Sequence, residues 1–207
     1  GLYPNAKMKD SGIDWIGEIS EGWEVRKVSK SFDIIGSGTT PKSQEEIYYD
    51  KGDISWVITG DLNDGLLKET SKKITKEAIK NYSMLRMYPK NSLIIAMYGA
   101  TIGKIALLNI EACTNQACCV LAKSKIFETK YVFYWFIANK NNIISYSYGG
   151  GQPNISQNVI KTLKIPIPPK PEQKAIVEHL DKATARIDKT IKLIKKKIKL
   201  LEEYKKS

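Results

Sequence analysis

The chain has 207 residues, 42% of them hydrophobic, and its 33 Lys and Arg against 22 Asp and Glu give a formal net charge of +11. This hydrophobic content is enough for a folded core, which excludes a chain that is disordered throughout. The excess of positive charge favours a polyanionic partner, because lysine and arginine that neutralise phosphates release condensed counterions.

Two tryptophans mark the N-terminal segment, Met8 to Val25. Trp15 and Trp23 lie among glycines and acidic residues, which is typical of an ordered loop that anchors aromatic side chains on the edge of a domain. The next segment, residues 25–35, is predicted to be a strand or a short helix. Small polar residues over Gly36 to Ser43 then predict a flexible loop.

The middle of the chain alternates short apolar segments with turns, as in a β-rich domain. Aromatic residues recur at helical spacing over residues 130–138, which predicts a buried amphipathic helix. The other predicted elements are strands at 53–59, 92–98, 104–108, 117–122 and 165–167, a turn at 60–65 and a short helix at 75–81.

A long C-terminal helix is predicted to begin at Glu172, directly after Pro171, because helices favour proline at their start. At 1.5 Å per residue, a helix over residues 172–205 would be a rod of about 50 Å. An apolar stripe of this length requires a partner helix, which must come from another chain or from a part absent from this sequence. The stripe follows heptad steps with one four-residue stutter: Ile176, Leu180, Ala183, Ile187, Ile191, Ile194, Ile198 and Leu201.

Cysteine use and hydropathy indicate the environment of the protein. Cys113, Cys118 and Cys119 lie among small and apolar residues, which favours reduced thiols in a cytoplasmic core over a disulfide framework. No apolar run approaches the ~20 residues of a membrane span, and the N-terminus lacks the pattern of a signal peptide. Gly1 is not a native start, so residues 1–7 are interpreted as a linker or a tag remnant.

The sequence offers no catalytic set. His179 is the only histidine, so the chain alone supplies neither a histidine-based triad nor a multi-histidine metal site. The cysteine spacing lacks the paired arms of a zinc site, and the glycine-rich segments 36–38 and 99–104 match no nucleotide-binding fingerprint. Asp61 and Asp64 are interpreted as turn formers rather than a nuclease pair. We therefore predict a non-catalytic protein without a metal or cofactor of its own.

Polar loops on a β-rich body suit the reading of base edges, because Asn and Gln can pair with adenine, and Lys or Arg with guanine. Asn115 and Gln116 are interpreted mainly as groups that cap or satisfy the backbone. The predicted DNA-binding residues form three groups: Thr39, Thr40, Lys42 and Ser43 in the first loop; Lys72, Lys73, Tyr98, Thr101 and Lys104 in the middle; and Tyr146, Tyr148, Gln152 and Asn154 ahead of the helix.

Five motifs, in order along nearly the whole chain, resemble the specificity subunit of type I restriction-modification systems. Two features depart from the family: Ser20 stands where proline is usual, and the chain has one recognition domain and one conserved helix where the full subunit has two of each. The motifs are SGIDWIGEI with GWEV at 11–25, GDISWVITGDL at 52–62, YGATIGK at 98–104, TNQACCVL at 114–121, and GQPNIS with LKIPIPPKPEQKAIVEHLD at 151–181.

The resemblance implies an α+β fold, with a β-rich globular target recognition domain over residues 1–169 and a conserved coiled-coil helix over residues 170–207. The domain would read one half of a split double-stranded DNA sequence through the major groove. The helix would space the half-sites and dock methyltransferase subunits, which bind S-adenosylmethionine, and through them restriction subunits. With a single helix, the chain is predicted to form a two-fold homodimer that reads a palindromic split site.

Two alternatives stay open at this point. The chain could be the second half of a two-domain subunit, in which case its dimer would partly result from truncation. It could also be a coiled-coil assembly module without sequence readout, whose basic C-terminal segment is only a solvated helix face. That segment, Lys170 to Ser207, carries twelve Lys or Arg and six Asp or Glu, a net charge of +6.

Overall fold

A computed structural model of the chain describes residues 6–147 and 154–205. It confirms the predicted α+β class, a sheet-rich body followed by a long helix. The strands are β1 (Met8–Asp10), β2 (Glu18–Ser20), β3 (Glu24–Lys27), β4 (Ile34–Gly36), β5 (Ile54–Val57), β6 (Gly65–Leu67), β7 (Lys72–Ile74), β8 (Leu93–Ala96), β9 (Ile105–Leu108), β10 (Cys113–Thr114), β11 (Cys118–Ala122) and β12 (Lys164–Ile167). The helices are α1 (Lys76–Asn81), α2 (Thr129–Ala138), α3 (Lys140–Ser145), α4 (Gln157–Thr162) and α5 (Lys170–Tyr204), with short 3₁₀ turns at Val28–Lys30, Glu46–Tyr48 and Thr59–Asp61.

A five-stranded sheet in the order β4-β11-β8-β9-β6 forms the centre of the body. Strands β8, β9 and β11 are buried along their whole length. Successive side chains of a strand point to opposite faces, so Leu93 and Ile95 enter one hydrophobic cluster while Ile94 and Ala96 enter another. The continuous apolar runs in the sequence thus reflect a sheet that is covered on both faces.

Helix α2 covers one face of this sheet, which confirms the predicted aromatic helix. Its side chains Tyr131, Phe133, Trp135 and Phe136 are buried in the same cluster as Leu93 and the other residues of that face. Burial of each large apolar side chain stabilises the fold by about 1.5–3 kcal/mol. This layer therefore supplies much of the stability of the body.

A three-stranded sheet, β10-β5-β7, borders the other face. The predicted strand at 53–59 is observed as β5, whose Trp56 and Val57 are buried.

The three cysteines are buried free thiols, as predicted. Burial raises the pKa of each thiol to about 12, so they stay protonated and unreactive at neutral pH.

The N-terminal segment is where the fold departs most from the prediction. Strands β1 and β2 form an antiparallel hairpin with Met8 opposite Ser20, where the sequence predicts a loop. The three residues of β1 are all exposed, so these strands carry no apolar alternation to reveal them. Trp15 does anchor the segment as expected, because its ring packs 5.6 Å from that of Trp135.

Helix α5 begins at Lys170, two residues before the predicted start. We call the N-terminal end of α5 its foot. The Gln173 side chain at the foot is fully buried and forms hydrogen bonds with three backbone groups. Its Nε2 donates to the carbonyls of Ile126 (3.1 Å) and Pro168 (2.9 Å), and its Oε1 accepts from the Glu128 N–H (2.8 Å). The foot of the helix is therefore built into the body.

A polar clamp fixes the next turns of α5. The Asp181 carboxylate accepts hydrogen bonds from Lys130 Nζ (2.7 Å) and from the Tyr134 hydroxyl (2.6 Å). Burial alone would raise the pKa of Asp181, but these two hydrogen bonds lower it.

Every helix residue from Thr184 to Tyr204 is exposed. Among the described helices, none has the length and hydropathy to cross a bilayer.

Candidate nucleic-acid interface

The sheet topology brings three loops together at one end of the body. Strand β11 runs antiparallel to both β4 and β8, so the chain leaving β4 and the chain leaving β8 emerge beside the chain entering β11. Residues 37–43, 97–104 and 115–117 therefore lie at the same end of the central sheet. We call these three segments the loop end.

The first segment of the loop end, 37–43, is tied to the third, although the sequence predicts a flexible loop. The Gly38 N–H donates to the Asn115 carbonyl (3.2 Å). A Cβ at Gly38 would lie 1.7 Å from the Thr114 carbonyl oxygen, a distance that no side chain tolerates. Only glycine allows this close approach of the two backbones, which was not evident from sequence.

Two side-chain contacts continue this attachment. The Thr40 hydroxyl donates to Gln116 Oε1 (2.6 Å), and the indole N–H of Trp56 donates to the Thr39 carbonyl (3.2 Å). Trp56 is itself buried in β5. The first loop is thus held against both the central sheet and the three-stranded sheet.

An open cleft of about 390 Å³ lies beside this loop. Strand β7 runs antiparallel to β5 with Lys72 opposite Trp56, which places the lysines of β7 on the cleft. Both lysine side chains are exposed, and within the described part of the chain neither forms an ion pair. Four predicted DNA-binding residues meet here, because the cleft is lined by Thr40, Ser43, Tyr49, Trp56, Lys72 and Lys73.

Lys42 differs from these lysines because it has a carboxylate partner. Its ammonium lies 3.0 Å from the Glu45 carboxylate. The hydrogen bond to Glu45 raises the pKa of Lys42, and the same bond lowers the pKa of Glu45. Exposed ion pairs of this kind contribute little to stability, so Glu45 does not hold Lys42 strongly.

The second segment of the loop end carries Tyr98, Thr101 and Lys104. Tyr98 forms an antiparallel bridge with Asn154, and the Lys104 N–H donates to the Thr101 carbonyl (2.9 Å). Gly103 adopts a left-handed φ of +72°, and a Cβ at this position would lie 2.9 Å from Ile144 Cδ1 of α3. These three predicted residues therefore lie in the loop end, and a fourth, Asn154, lies beside it.

Of the remaining predicted residues, Tyr146 is described and has a different partner. The Tyr146 hydroxyl accepts a hydrogen bond from the Trp15 indole (3.1 Å), so Tyr146 anchors the N-terminal hairpin. Tyr148 and Gln152, with the glycines of 149–151, lie outside the described residues.

Asp61 and Asp64 have the turn-forming role predicted for them. The Asp61 carboxylate accepts backbone N–H groups from two flanking segments, at 3.0 Å each. The Asp64 carboxylate accepts the Ile105 N–H (3.0 Å) and pairs with Lys140 (2.9 Å). Within the described ranges, no cluster of three or more His, Cys, Asp or Glu could hold a metal ion.

The side chains of Asn115 and Gln116 have different partners. Asn115 does close the turn as predicted, since its Oδ1 accepts the Ala117 N–H (3.1 Å). Gln116 is exposed and bonds to Thr40 instead. A single amide side chain is enough to close a turn of this size. The two adjacent amides of the sequence, Asn115 and Gln116, were therefore a signal that one of them has another contact.

A larger cavity, of about 500 Å³, lies between the N-terminal hairpin, α2 and the foot of α5. Its walls are mainly apolar and include Trp15, Trp23 and Trp135. None of the predicted DNA-binding residues among those described lines it. This cavity is therefore separate from the loop end.

Comparison with known proteins agrees with the fold and with the motifs. Residues 20–203 match the protein family described as type I restriction modification DNA specificity domain. The MjaIX specificity subunit of Methanocaldococcus jannaschii is 28% identical over 193 residues, which cover 91% of this chain and 43% of that protein. The EcoKI specificity subunit of Escherichia coli is 29% identical over 186 residues, 84% of this chain and 39% of that protein.

A solved structure shows the same fold. The HsdS subunit from Thermoanaerobacter tengcongensis superimposes with a TM-score of 0.65 at 18% identity, over 87% of this chain and 41% of that chain. The present chain thus spans about four-tenths of the length of each of these three proteins.

Proposed function

Because this chain belongs to the family of type I restriction modification DNA specificity domains, we propose that its loop end reads one half of a split double-stranded DNA sequence. The observation that carries this proposal is the convergence of ten predicted residues in and beside the loop end. Two of them, Lys72 and Lys73, form no ion pair within the described part of the chain. Phosphate contacts would orient the body, and polar side chains of the loops would reach base edges. The chain itself would perform no catalytic step.

The lysines of the cleft suit phosphate contact. Lys72 and Lys73 are exposed on an edge strand next to the hydroxyls of Thr40 and Ser43. Lysine donates to phosphate as a point charge, and threonine and serine hydroxyls commonly contact the DNA backbone. We therefore propose that the backbone of one DNA strand lies along the cleft and that the loop end enters the major groove.

Selection from a pool of random-sequence duplexes tests the proposed function. We expect enrichment of a split motif with two symmetric halves. The alternative of a coiled-coil assembly module predicts a flat pool, and that outcome would exclude sequence readout. Methyl transfer or cleavage by the chain alone, with S-adenosylmethionine or Mg²⁺, would contradict the non-catalytic role.

Replacing both Lys72 and Lys73 with alanine is expected to weaken DNA binding equally for all sequences. Each phosphate contact contributes about 0.9 to the slope of log affinity against log salt concentration, so the slope should fall by roughly 2. Titrations at several salt concentrations measure it. Lys90 and Lys125 are exposed lysines at the opposite end of the sheet, and their double alanine variant is the matched control. An unchanged slope for the Lys72 and Lys73 variant would exclude these phosphate contacts.

We also propose that α5 pairs with the α5 of a second copy. The apolar stripe of the sequence is divided by the structure: Ile176 packs against the core of the body, and Leu180 and Ala183 are half-buried. Beyond them the stripe is uncovered, and apolar surface of this extent calls for a partner. The exposed apolar residues are Ile187, Ile191, Leu193, Ile194, Ile198, Leu200 and Leu201.

The exposed part of the helix supports an antiparallel register. It runs from Thr184 to Tyr204, and its midpoint is Ile194. The exposed apolar stripe from Ile187 to Leu201 has the same midpoint. Two antiparallel copies with their two-fold axis beside Ile194 would therefore cover each other's stripes from Ile187 to Leu201.

This register sets the distance between the two bodies. The whole helix of 35 residues forms the rod of about 50 Å expected from sequence, and its exposed segment spans about 30 Å of that length. Half-sites bound by two-fold related bodies would then lie close to one DNA turn apart, which is about 34 Å. We further propose that the pair docks methyltransferase subunits, which carry S-adenosylmethionine, and through them restriction subunits, in the cytoplasm.

A further inference from the structure

We infer that Gln116 reads an adenine in each half-site and that the Thr40 hydroxyl orients its carboxamide for this contact. The inference rests on the proposed function and goes beyond it, because it assigns one base to one side chain. Three features of the structure carry it: the position of Gln116, the rigidity of its backbone and the hydrogen bond from Thr40.

Gln116 occupies the middle of the loop end. The preceding carbonyl, that of Asn115, accepts the Gly38 N–H (3.2 Å) of the first loop. The following carbonyl, that of Ala117, accepts the Met97 N–H (2.9 Å) at the end of β8. Gln116 therefore lies between the two neighbouring segments with its side chain exposed.

The backbone around Gln116 is held on all sides. The Asn115 N–H donates to the Val57 carbonyl (3.0 Å), and the Asn115 side chain closes the turn onto Ala117. Gly38 packs directly against Thr114. A reading side chain discriminates best when its backbone does not move on binding, because the cost of ordering is then already met in the free protein.

The hydrogen bond from Thr40 determines which face of the carboxamide is presented. Thr40 Oγ1 lies 2.6 Å from Gln116 Oε1, and the bond occupies one of the two lone pairs of that oxygen. The second lone pair stays available, and no residue in the described part of the chain accepts a hydrogen bond from Nε2. Adenine presents an N6–H donor and an N7 acceptor in the major groove, which match these two groups of Gln116.

The surroundings of this pair agree with a DNA contact. Thr40 also lines the cleft that contains Lys72 and Lys73. A DNA backbone bound along this cleft would therefore pass beside the carboxamide of Gln116. Among its neighbours at the loop end, Gln116 is the exposed amide that a second side chain holds in place. Guanine, which presents two acceptors at these positions, would face the carboxamide oxygen.

The test compares the motifs selected by the wild-type chain and by Gln116→Ala. We expect the wild-type motif to contain an adenine in each half, and Gln116→Ala to lose the preference at that position alone, by about 5- to 150-fold, the range of one bidentate pair. Thr40→Val should reduce the same preference. Gln116→Glu should shift it toward cytosine, because a carboxylate accepts from the cytosine amino group.

The matched control is Asn109→Ala, an exposed amide at the opposite end of the sheet, which should leave the motif unchanged. Thermal unfolding of Gln116→Ala should match that of the wild type, which separates reading from folding. Retention of the adenine by Gln116→Ala, or uniform weakening at all positions, would overturn the assignment while leaving the proposed function in place. A flat pool with the wild-type chain would overturn both.

Discussion

Replacement of Ile194 with glutamate is expected to convert a dimer of the chain into a monomer. In the proposed register Ile194 of each copy lies beside the two-fold axis, so the variant would bring two carboxylates together inside an apolar seam. Burial of unpaired charges of like sign costs several kcal/mol. Sedimentation equilibrium measures the change in mass, and Ile187→Glu should act in the same direction.

The control for this experiment uses the same charge at another position of the same helix. Lys189 is exposed and lies off the stripe, so Lys189→Glu should leave the mass unchanged. Cysteine substitutions then test the register. Ile194→Cys should form a disulfide with its copy on oxidation, because the two α-carbons would lie within about 7 Å. Ile187→Cys should crosslink only to a Leu201→Cys partner; a disulfide between two Ile187→Cys chains would contradict the antiparallel arrangement.

Gln173→Ala is expected to be the most destabilising substitution in α5. It removes the side chain that bonds to the backbone groups of Ile126, Glu128 and Pro168, in a site with no exposed surface. Each buried polar group left without a partner costs about 1–3 kcal/mol, so the free energy of unfolding should fall by roughly 3 kcal/mol or more. For a chain of this size that corresponds to a decrease in Tm of about 10 °C.

Thermal unfolding followed by circular dichroism measures this effect. Gln44 is an exposed glutamine in the loop before the 3₁₀ turn of Glu46–Tyr48, and Gln44→Ala should unfold with the wild-type Tm. A Gln173→Ala variant that also unfolds at the wild-type temperature would show that the foot of the helix does not depend on these hydrogen bonds.

The elements predicted most accurately are those with a strong local signal. Strands β8 and β11 are runs of four and five apolar residues, and α2 has aromatic residues at helical spacing. Apolar runs of this kind are buried as strands or helices, so the local pattern is sufficient to predict these elements. The hairpin of β1 and β2 and the six-residue helices α3 and α4 escaped prediction because they are short and lack this pattern.

The sequence predicts which types of residue form the candidate site, but it does not predict which of them lie together in the fold. Thr40, Lys72 and Tyr98 are far apart in sequence, and they meet because β11 and β5 pair with particular neighbours. Strand pairing is a non-local property that no single loop encodes. For the same reason the sequence does not reveal that the Tyr146 hydroxyl bonds to the distant Trp15.

The sequence by itself determined the basic charge, the lack of a histidine-based site and the heptad stripe of α5, because these depend only on residue types and on their spacing. The tertiary structure alone decided which part of that stripe is free. Ile176 and Gln173 are covered by the body, whereas the helix is exposed from Thr184 onward. Exposure depends on what packs against a residue, and the packing partners of the helix foot, such as Trp23 and Tyr134, come from distant parts of the chain.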